Sequence, residues 1–436
     1  MKKIGMYVAM IGLIGATAVR AVAADEARWH QLTNQAQTLY QKGHLMDAMR
    51  FAGEALQVAE ATFGSSDPYT ARSLELVAIL HLAQGQFSQA IPLAQRVLTI
   101  REQTAGPEPL LLAQAAMLLA RTHALEEQVE QAEPLARRAL DIRERAVGAD
   151  HLLVADSLVL LAKLSVLQKQ MPEAEQQYRR ALTILESTLG FRHPLLAKML
   201  IAEADFYVLW NQAERAEPLA RRALAIRRKT AGPEHVLAAE ALMLLAKIHL
   251  LEDRAELAEP LAQQALVIRE KSLGMNAPLV ARSLDMLSEI ALRQGRLAQA
   301  ELFARRSAAI TQRLISQETP PLEDPLRSDG TLPYQLDLPA AGLVQEAEGS
   351  PSPQRDFALM AESFRNRAQV YVALGEYSEA EGLFQEALRV YEKAGGVNPD
   401  GLADALNDYA QLLRKMGRTP EADAVVVRAR AIRSTQ

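Results

Sequence analysis

The chain of 436 residues contains no cysteine. That absence excludes disulfide staples, thiolate metal centres, a cysteine nucleophile and lipidation at an amino-terminal cysteine. Aromatic residues make up only 5% of the sequence and β-branched residues are thinly spread, so alanine, leucine, glutamate, glutamine and arginine favour helix almost everywhere. The expected class is all-α. No phosphate-cradling glycine loop, zinc-protease helix motif or serine elbow is present, and no nucleophile-and-base spacing supports catalysis. An excess of one sign of charge is lacking too: a formal net charge of -5 points neither to nucleic acid nor to an anionic membrane.

Long apolar runs are confined to the first residues. Lys2 and Lys3 precede an apolar run from Ile4 to Val19, followed by the small-residue pattern Ala21-Val22-Ala23 before Ala24 and Asp25. This reads as an export signal spanning 1–23, cleaved after Ala23 or Ala24. The alternative is a retained anchor, but the run falls short of the roughly 20 apolar residues a spanning helix needs. After cleavage no integral membrane span is expected. The expected location is the periplasm, with secretion beyond an outer membrane as the alternative.

What is present is a repeat. Glycine recurs every 42 residues at Gly64, Gly106, Gly148, Gly190, Gly232 and Gly274, and alanine with the same step at Ala36, Ala78, Ala120, Ala162, Ala204 and Ala246, Ser288 taking its place next. A second alanine follows twelve residues after each, from Ala48 to Ala300. Each unit reads as two amphipathic helices: in the fourth, Leu152 to Leu167 and Pro172 to Glu186 carry apolar residues at helical spacing. Alanines so placed suit the point where two antiparallel helices approach most closely. Pro92, Pro134, Pro218 and Pro260 are expected in the first turn of second helices, and the glycine series at their left-handed ends.

The small-residue spacing at Gly43, Ala48 and Ala55-Leu56, and again at Gly375, Tyr377, Ala380, Phe384 and Ala387-Leu388, resembles the tetratricopeptide repeat (TPR). The 42-residue step, with Gly190-Phe191-Arg192-His193-Pro194 and Gly232-Pro233-Glu234-His235 in the loop, is similar to the longer variant of kinesin light chains, although the asparagine pairs that family often carries on its first helices are missing. The resemblance implies a right-handed superhelical solenoid of antiparallel helix pairs, seven units over 24–317 and two more over 354–436. Between them, 318–353 shows no helical periodicity and holds seven prolines and three glycines, which reads as a linker or insert. The last units are expected either to stack on the seventh with the insert looping out or to form a tethered module; stacking is favoured because two repeats alone bury little surface.

In TPR superhelices the first helix of each unit faces the concave surface. Carried onto this chain, the groove residues are Met117, Val159, Ile201 and Met243, three before the framework alanine, flanked one after it by Arg121, Lys163, Asp205 and Lys247. An apolar strip edged by alternating charge suits an extended or helical peptide with spaced anchors. The opposing reading is that the strip packs inside, since a register error of one residue buries it.

Other candidates have plainer readings. His151, His193 and His235 share one position in successive units, too far apart to share a metal, which leaves loop capping or contact with the next unit. His30, His44, His81, His123 and His249 show no ligand spacing. The pairs Arg137-Arg138, Arg179-Arg180, Arg221-Arg222 and Arg305-Arg306 are neutralised by Glu133, Glu175, Glu217 and Glu259 on the same helices and read as a solvated face. The expectation is therefore a non-enzymatic scaffold for protein or peptide partners, with no metal, no cofactor, no catalytic residues and no nucleic acid. The rivals are a self-assembling structural protein, hence a homo-oligomer, and a hidden hydrolase.

Overall fold

The computed structural model describes residues 2–104, 108–316, 353–393 and 399–434, and among them every regular element is a helix. In chain order these are α1 (Lys2–Gln41), α2 (Leu45–Thr62), α3 (Pro68–Ala83), α4 (Phe87–Thr104), α5 (Pro109–Leu125), α6 (Val129–Val147), α7 (Leu152–Leu167), α8 (Met171–Leu189), α9 (Pro194–Leu209) and α10 (Ala213–Thr230). Then follow α11 (Val236–Leu251), α12 (Ala255–Leu273), α13 (Pro278–Arg293), α14 (Leu297–Ser316), α15 (Pro353–Leu374), α16 (Tyr377–Lys393), α17 (Pro399–Lys415) and α18 (Thr419–Ser434). The fold is all-α, built from consecutive antiparallel helix pairs. No described helix is long and apolar enough to cross a membrane. Segment 318–352 of the expected linker and Gly106 lie outside the described residues.

Described residues divide into two compact units, one ending at Ile184 and the other beginning at Leu185, so the border falls inside α8. In the first unit, Asp25 and Glu26 are already held, accepting from the Thr62 hydroxyl at 3.2 Å and the Tyr69 hydroxyl at 2.5 Å. Trp29 is buried beside them and donates its indole N–H to Ser73 Oγ at 2.7 Å. A buried indole left without that acceptor would cost more than the bond itself contributes.

The framework alanines are where the sequence places them, at the contact of each pair: Ala36, Ala48, Ala120, Ala132, Ala246 and Ala258 are completely buried. Where serine replaces alanine in the seventh unit, the Ser288 hydroxyl donates to the carbonyl of Ala300, its pairing alanine, at 2.9 Å. The extra oxygen is thus accommodated without an unpaired polar group.

The prolines need correction. Pro92, Pro134, Pro218 and Pro260 stand inside α4, α6, α10 and α12, each as the sixth residue and beyond the first turn. The helices begin earlier because the break between helices is a tight turn with one residue at positive φ. Glycine fills it at Gly43, Gly85 and Gly295, but Glu127, Lys169, Asn211 and Asp253 adopt φ of 55 to 60° at the same position. Each proline lies on the exposed face, as does the residue four before it, so the carbonyl it frees is on the solvent side. The loop glycines do take positive φ, but Gly148 (φ 89°, ψ 160°) and Gly274 (φ 84°, ψ 157°) occupy the extended positive-φ region open essentially to glycine alone, not the left-handed helical one.

In the second unit α15 stacks on α13 and α14, so the helices after the insert continue the packing of the seventh pair. Val370 enters a cluster with Ala291, Ala300 and Ala304. Beside it Ser363 Oγ lies 3.1 Å from Ser307 Oγ and donates to Asp285 Oδ1 at 3.3 Å.

Candidate interaction surface

First helices here are not ordinary amphipathic helices. In α11, for example, buried residues occur all round the helix, because its own second helix α12 covers one side and the first helices α9 and α13 touch others. That packing decides the fate of the expected groove. Met117 is fully buried within the core of the first unit, and Ile201 is only 6% exposed. Val159 and Met243 are partly exposed. Arg121 is buried and ion-paired to Asp156 at 2.5 Å, Lys163 is half-buried, and Asp205 and Lys247 are exposed. The strip is therefore not a continuous open wall: two of its four apolar anchors serve the core.

The exposed part lies further along the same helical ridge. Residues four apart share one side of a helix, so Met243, Lys247 and Leu251 follow one another, as do Ile201, Asp205 and Leu209, and Val159, Lys163 and Leu167. The third residue of each series is open: Leu167, Leu209 and Leu251 are 48%, 65% and 42% exposed. These leucines recur at the 42-residue step and close α7, α9 and α11. Sequence reasoning misses them because it follows each ridge only as far as Lys163, Asp205 and Lys247, one turn short of its exposed end. The repeat itself carries the signal, leucine returning at a helix end where burial does not require it.

The arginine pairs are neutralised, with one correction: Glu259 stands on α12 and pairs with Arg296, and Glu301 takes its expected place before Arg305. Arg137, Arg179, Arg221 and Arg305 each meet the glutamate one turn earlier, Glu133, Glu175, Glu217 and Glu301. Their neighbours reach back to the preceding second helix: Arg138 to Glu102 and Arg180 to Glu144, both at 2.5 Å, then Arg222 to Glu186 and Arg306 to Glu270. These exposed pairs set register between helices more than they add stability.

The three loop histidines are helix caps. The amides of Leu153, Leu195 and Leu237 donate to Nδ1 of His151, His193 and His235, each at 3.2 Å, as Tyr69 N donates to Asp67 Oδ1 at 2.8 Å. Burial holds the His193 pKa below its ordinary value, which suits a ring nitrogen that must stay unprotonated to accept.

A second series follows the same 42-residue step, at Arg143, Arg227 and Arg269 with Leu185 between, although sequence reasoning does not single it out. Arg143 reaches from α6 to the start of α7 and donates to the Leu153 carbonyl, Asp156 Oδ2 and Ser157 Oγ, all at 2.8 Å. Arg227 repeats this with Leu237 O at 2.7 Å and Glu240 at 2.5 Å, and Arg269 with Leu279 O at 3.0 Å and Ser283 Oγ at 2.8 Å. One buried guanidinium thus staples a second helix to the next first helix. Burial pushes the Asp156 carboxyl up, but Arg121 and Arg143 outweigh it and hold its pKa below the ordinary value.

Among the described residues one group, Glu217, His249 and Glu252, could hold a metal ion, its ligand atoms lying within 4.8 Å of one another. His249 shows no ligand spacing in the sequence.

A profile of the tetratricopeptide repeat matches residues 29–103, 111–187, 165–229, 237–313 and 359–435. A search of curated proteins finds no match. Among solved structures, the apo form of RapI is similar over 93% of this chain and 98% of its own, with a TM-score of 0.61 and 13% identity. A Rap protein complexed with competence and sporulation factor is similar over 95% of this chain and 98% of its own, with a TM-score of 0.53 and 14% identity. BtubC (BKLC) from P. vanneervenii is 22% identical over 63% of this chain and 93% of its own, with a TM-score of 0.44.

Proposed function

The chain belongs to the tetratricopeptide repeat family, and from that premise we propose that it is a non-enzymatic scaffold holding a peptide or protein partner along its first-helix ridges, in the cell envelope or outside the cell. The observation that carries this is the recurrence of exposed leucine at Leu167, Leu209 and Leu251. Beside them stand Asp205 and Lys247, exposed and opposite in charge. Large apolar side chains recurring at equivalent helix ends and flanked by charge favour a ligand with spaced apolar anchors. The Rap protein complexed with competence and sporulation factor has a similar fold, which supports this use of the array without transferring its partner. Export rests on the basic, apolar and small-residue pattern of residues 1–23.

Affinity capture from the exported fraction tests the reading. The wild type is expected to retain a partner that Leu209→Glu/Leu251→Glu loses while its helicity stays unchanged; retention by the variant contradicts the assignment. The same leucines would also suit a second copy of the chain, and light scattering across concentration separates the two, since a strict monomer removes self-assembly.

A further inference from the structure

We infer that Glu217, His249 and Glu252 form a binding site for a divalent transition-metal ion of the zinc class. Equivalent positions in other units show what is unusual here. Glu133 and Glu259 occupy the place of Glu217, and each accepts from a glutamine amide 35 residues on: Gln168 at 2.7 Å and Gln294 at 3.2 Å. At Glu217 that glutamine is replaced by Glu252. A donor has become an acceptor, and two carboxylates are brought together.

The histidine departs from the pattern in the same unit. His81 and His123 occupy the place of His249, and Nδ1 of each lies 2.7 Å from the side-chain oxygen of a glutamine five residues on, Gln86 and Gln128. Five residues after His249 stands Arg254, which cannot accept. His249 is 3% exposed, and both its Nδ1 and Glu252 Oε2 are buried without a hydrogen-bond partner, 3.6 Å apart. Two compensating contacts have been lost at once, and an imidazole is left beside two carboxylates whose other neighbours are exposed arginines.

A divalent cation satisfies all three. Zinc bound to imidazole nitrogen and carboxylate oxygen at about 2.0–2.2 Å in tetrahedral geometry spaces its ligand atoms roughly 3.4 Å apart, close to the His249–Glu252 separation. Two carboxylates and a neutral imidazole balance a charge of two, and the imidazole favours zinc and its transition-metal neighbours over calcium and manganese, which take oxygen ligands. Arg221 donates to Glu217 Oε1 at 2.6 Å, and Arg254 lies 3.3 Å from Glu252 Oε2. Both arginines are more than half exposed, so Arg254 can turn to water, while Arg221 leaves the other Glu217 oxygen for the ion. His249 also lines an open slot of about 290 Å³ with Arg221, Leu224 and Leu245.

The probe is cobalt(II) added to the untagged full-length protein at pH 7.5, followed by its visible absorption and displaced by zinc. One equivalent is expected to bind with a tetrahedral-type spectrum, and chelator to lower Tm by several degrees. Glu252→Gln recreates the contact that Gln168 and Gln294 make, so it is expected to fold with its helicity intact while binding cobalt at least tenfold more weakly. His249→Gln is expected to weaken it similarly. No uptake by the wild type, or equal uptake by both variants, overturns the site, the second result marking an adventitious ion only.

Discussion

Arg143 and Asp156 join the second helix of one pair to the first helix of the next, Nη1 lying 2.8 Å from Oδ2 with the arginine side chain only 3% exposed. The same guanidinium holds the Leu153 carbonyl and Ser157, so its loss removes three charge-assisted contacts at once and leaves Asp156 with Arg121 alone. Arg143→Ala is expected to cost about 3 kcal/mol, the usual penalty for removing one partner of a buried ion pair. Hydrogen exchange at the start of α7 measures it as local opening, the natural readout in an array that need not unfold as one. Protection unchanged by the substitution would contradict the staple. Because the folded Asp156 pKa is depressed, its contribution is present above the ordinary carboxylate value and is lost as pH falls through the folded one.

His193 gives the array sensitivity in mild acid. Its depressed pKa means that the cap is fully effective above the ordinary histidine value of about 6.5 and weakens as pH falls through the lower folded value. His193→Asp, which copies the Asp67 cap, is expected to lose less thermal stability than the wild type between pH 7.5 and 5.5. His193→Ala is expected to cost about 1 kcal/mol at pH 7.5. Equal acid sensitivity in the wild type and His193→Asp would remove the cap from the explanation.

Asp285 carries the opposite dependence. Burial pushes its carboxyl up to about 7 despite the Ser307 and Ser363 hydroxyls. A raised folded pKa gives stability that is complete below the unfolded value of about 3.9 and lost as pH rises through about 7. Exchange in α15, which stacks over this aspartate, is expected to show greater opening at pH 8 than at pH 6 after correction for intrinsic rates, and Asp285→Asn to abolish the difference. An unchanged profile in Asp285→Asn would refute the assignment.

Lys169 holds φ of 60° at a position that glycine fills in other units. The left-handed region costs an L-residue roughly 1–2 kcal/mol, partly offset by the greater unfolded entropy of glycine. Lys169→Gly is therefore expected to stabilise the α7–α8 turn by about 0.5–1 kcal/mol, seen as slower exchange there. Faster exchange would show that the lysine is not strained.

The repeat is legible in the sequence because its requirements are local and severe: alanine where helices touch, and glycine where backbone φ must be positive. The histidine caps are legible for the same reason, each lying two residues before the amide it accepts from. The groove is less so. Periodicity identifies the first helix and its ridge but not which stretch of that ridge the neighbouring first helices cover, so Met117 and Ile201 read as surface although they serve the core. The prolines mislead because a tight turn at Glu127 or Asn211 lets the helix begin before them. The Glu217, His249 and Glu252 group is out of reach of sequence alone, since its meaning lies in partners exchanged between successive units, a comparison that needs the contacts at Glu133 and Gln168.

Whether the ridge carries a partner is decided most directly by lysine cross-linking with mass spectrometry on the native protein. Lys247 stands on the α11 ridge beside Leu251, whereas Lys271 stands on the second helix α12, paired with Glu234. The scaffold account predicts partner links at Lys247 that disappear in Leu209→Glu/Leu251→Glu. Partner links confined to Lys271 and other second-helix lysines, or unaffected by those substitutions, would contradict it.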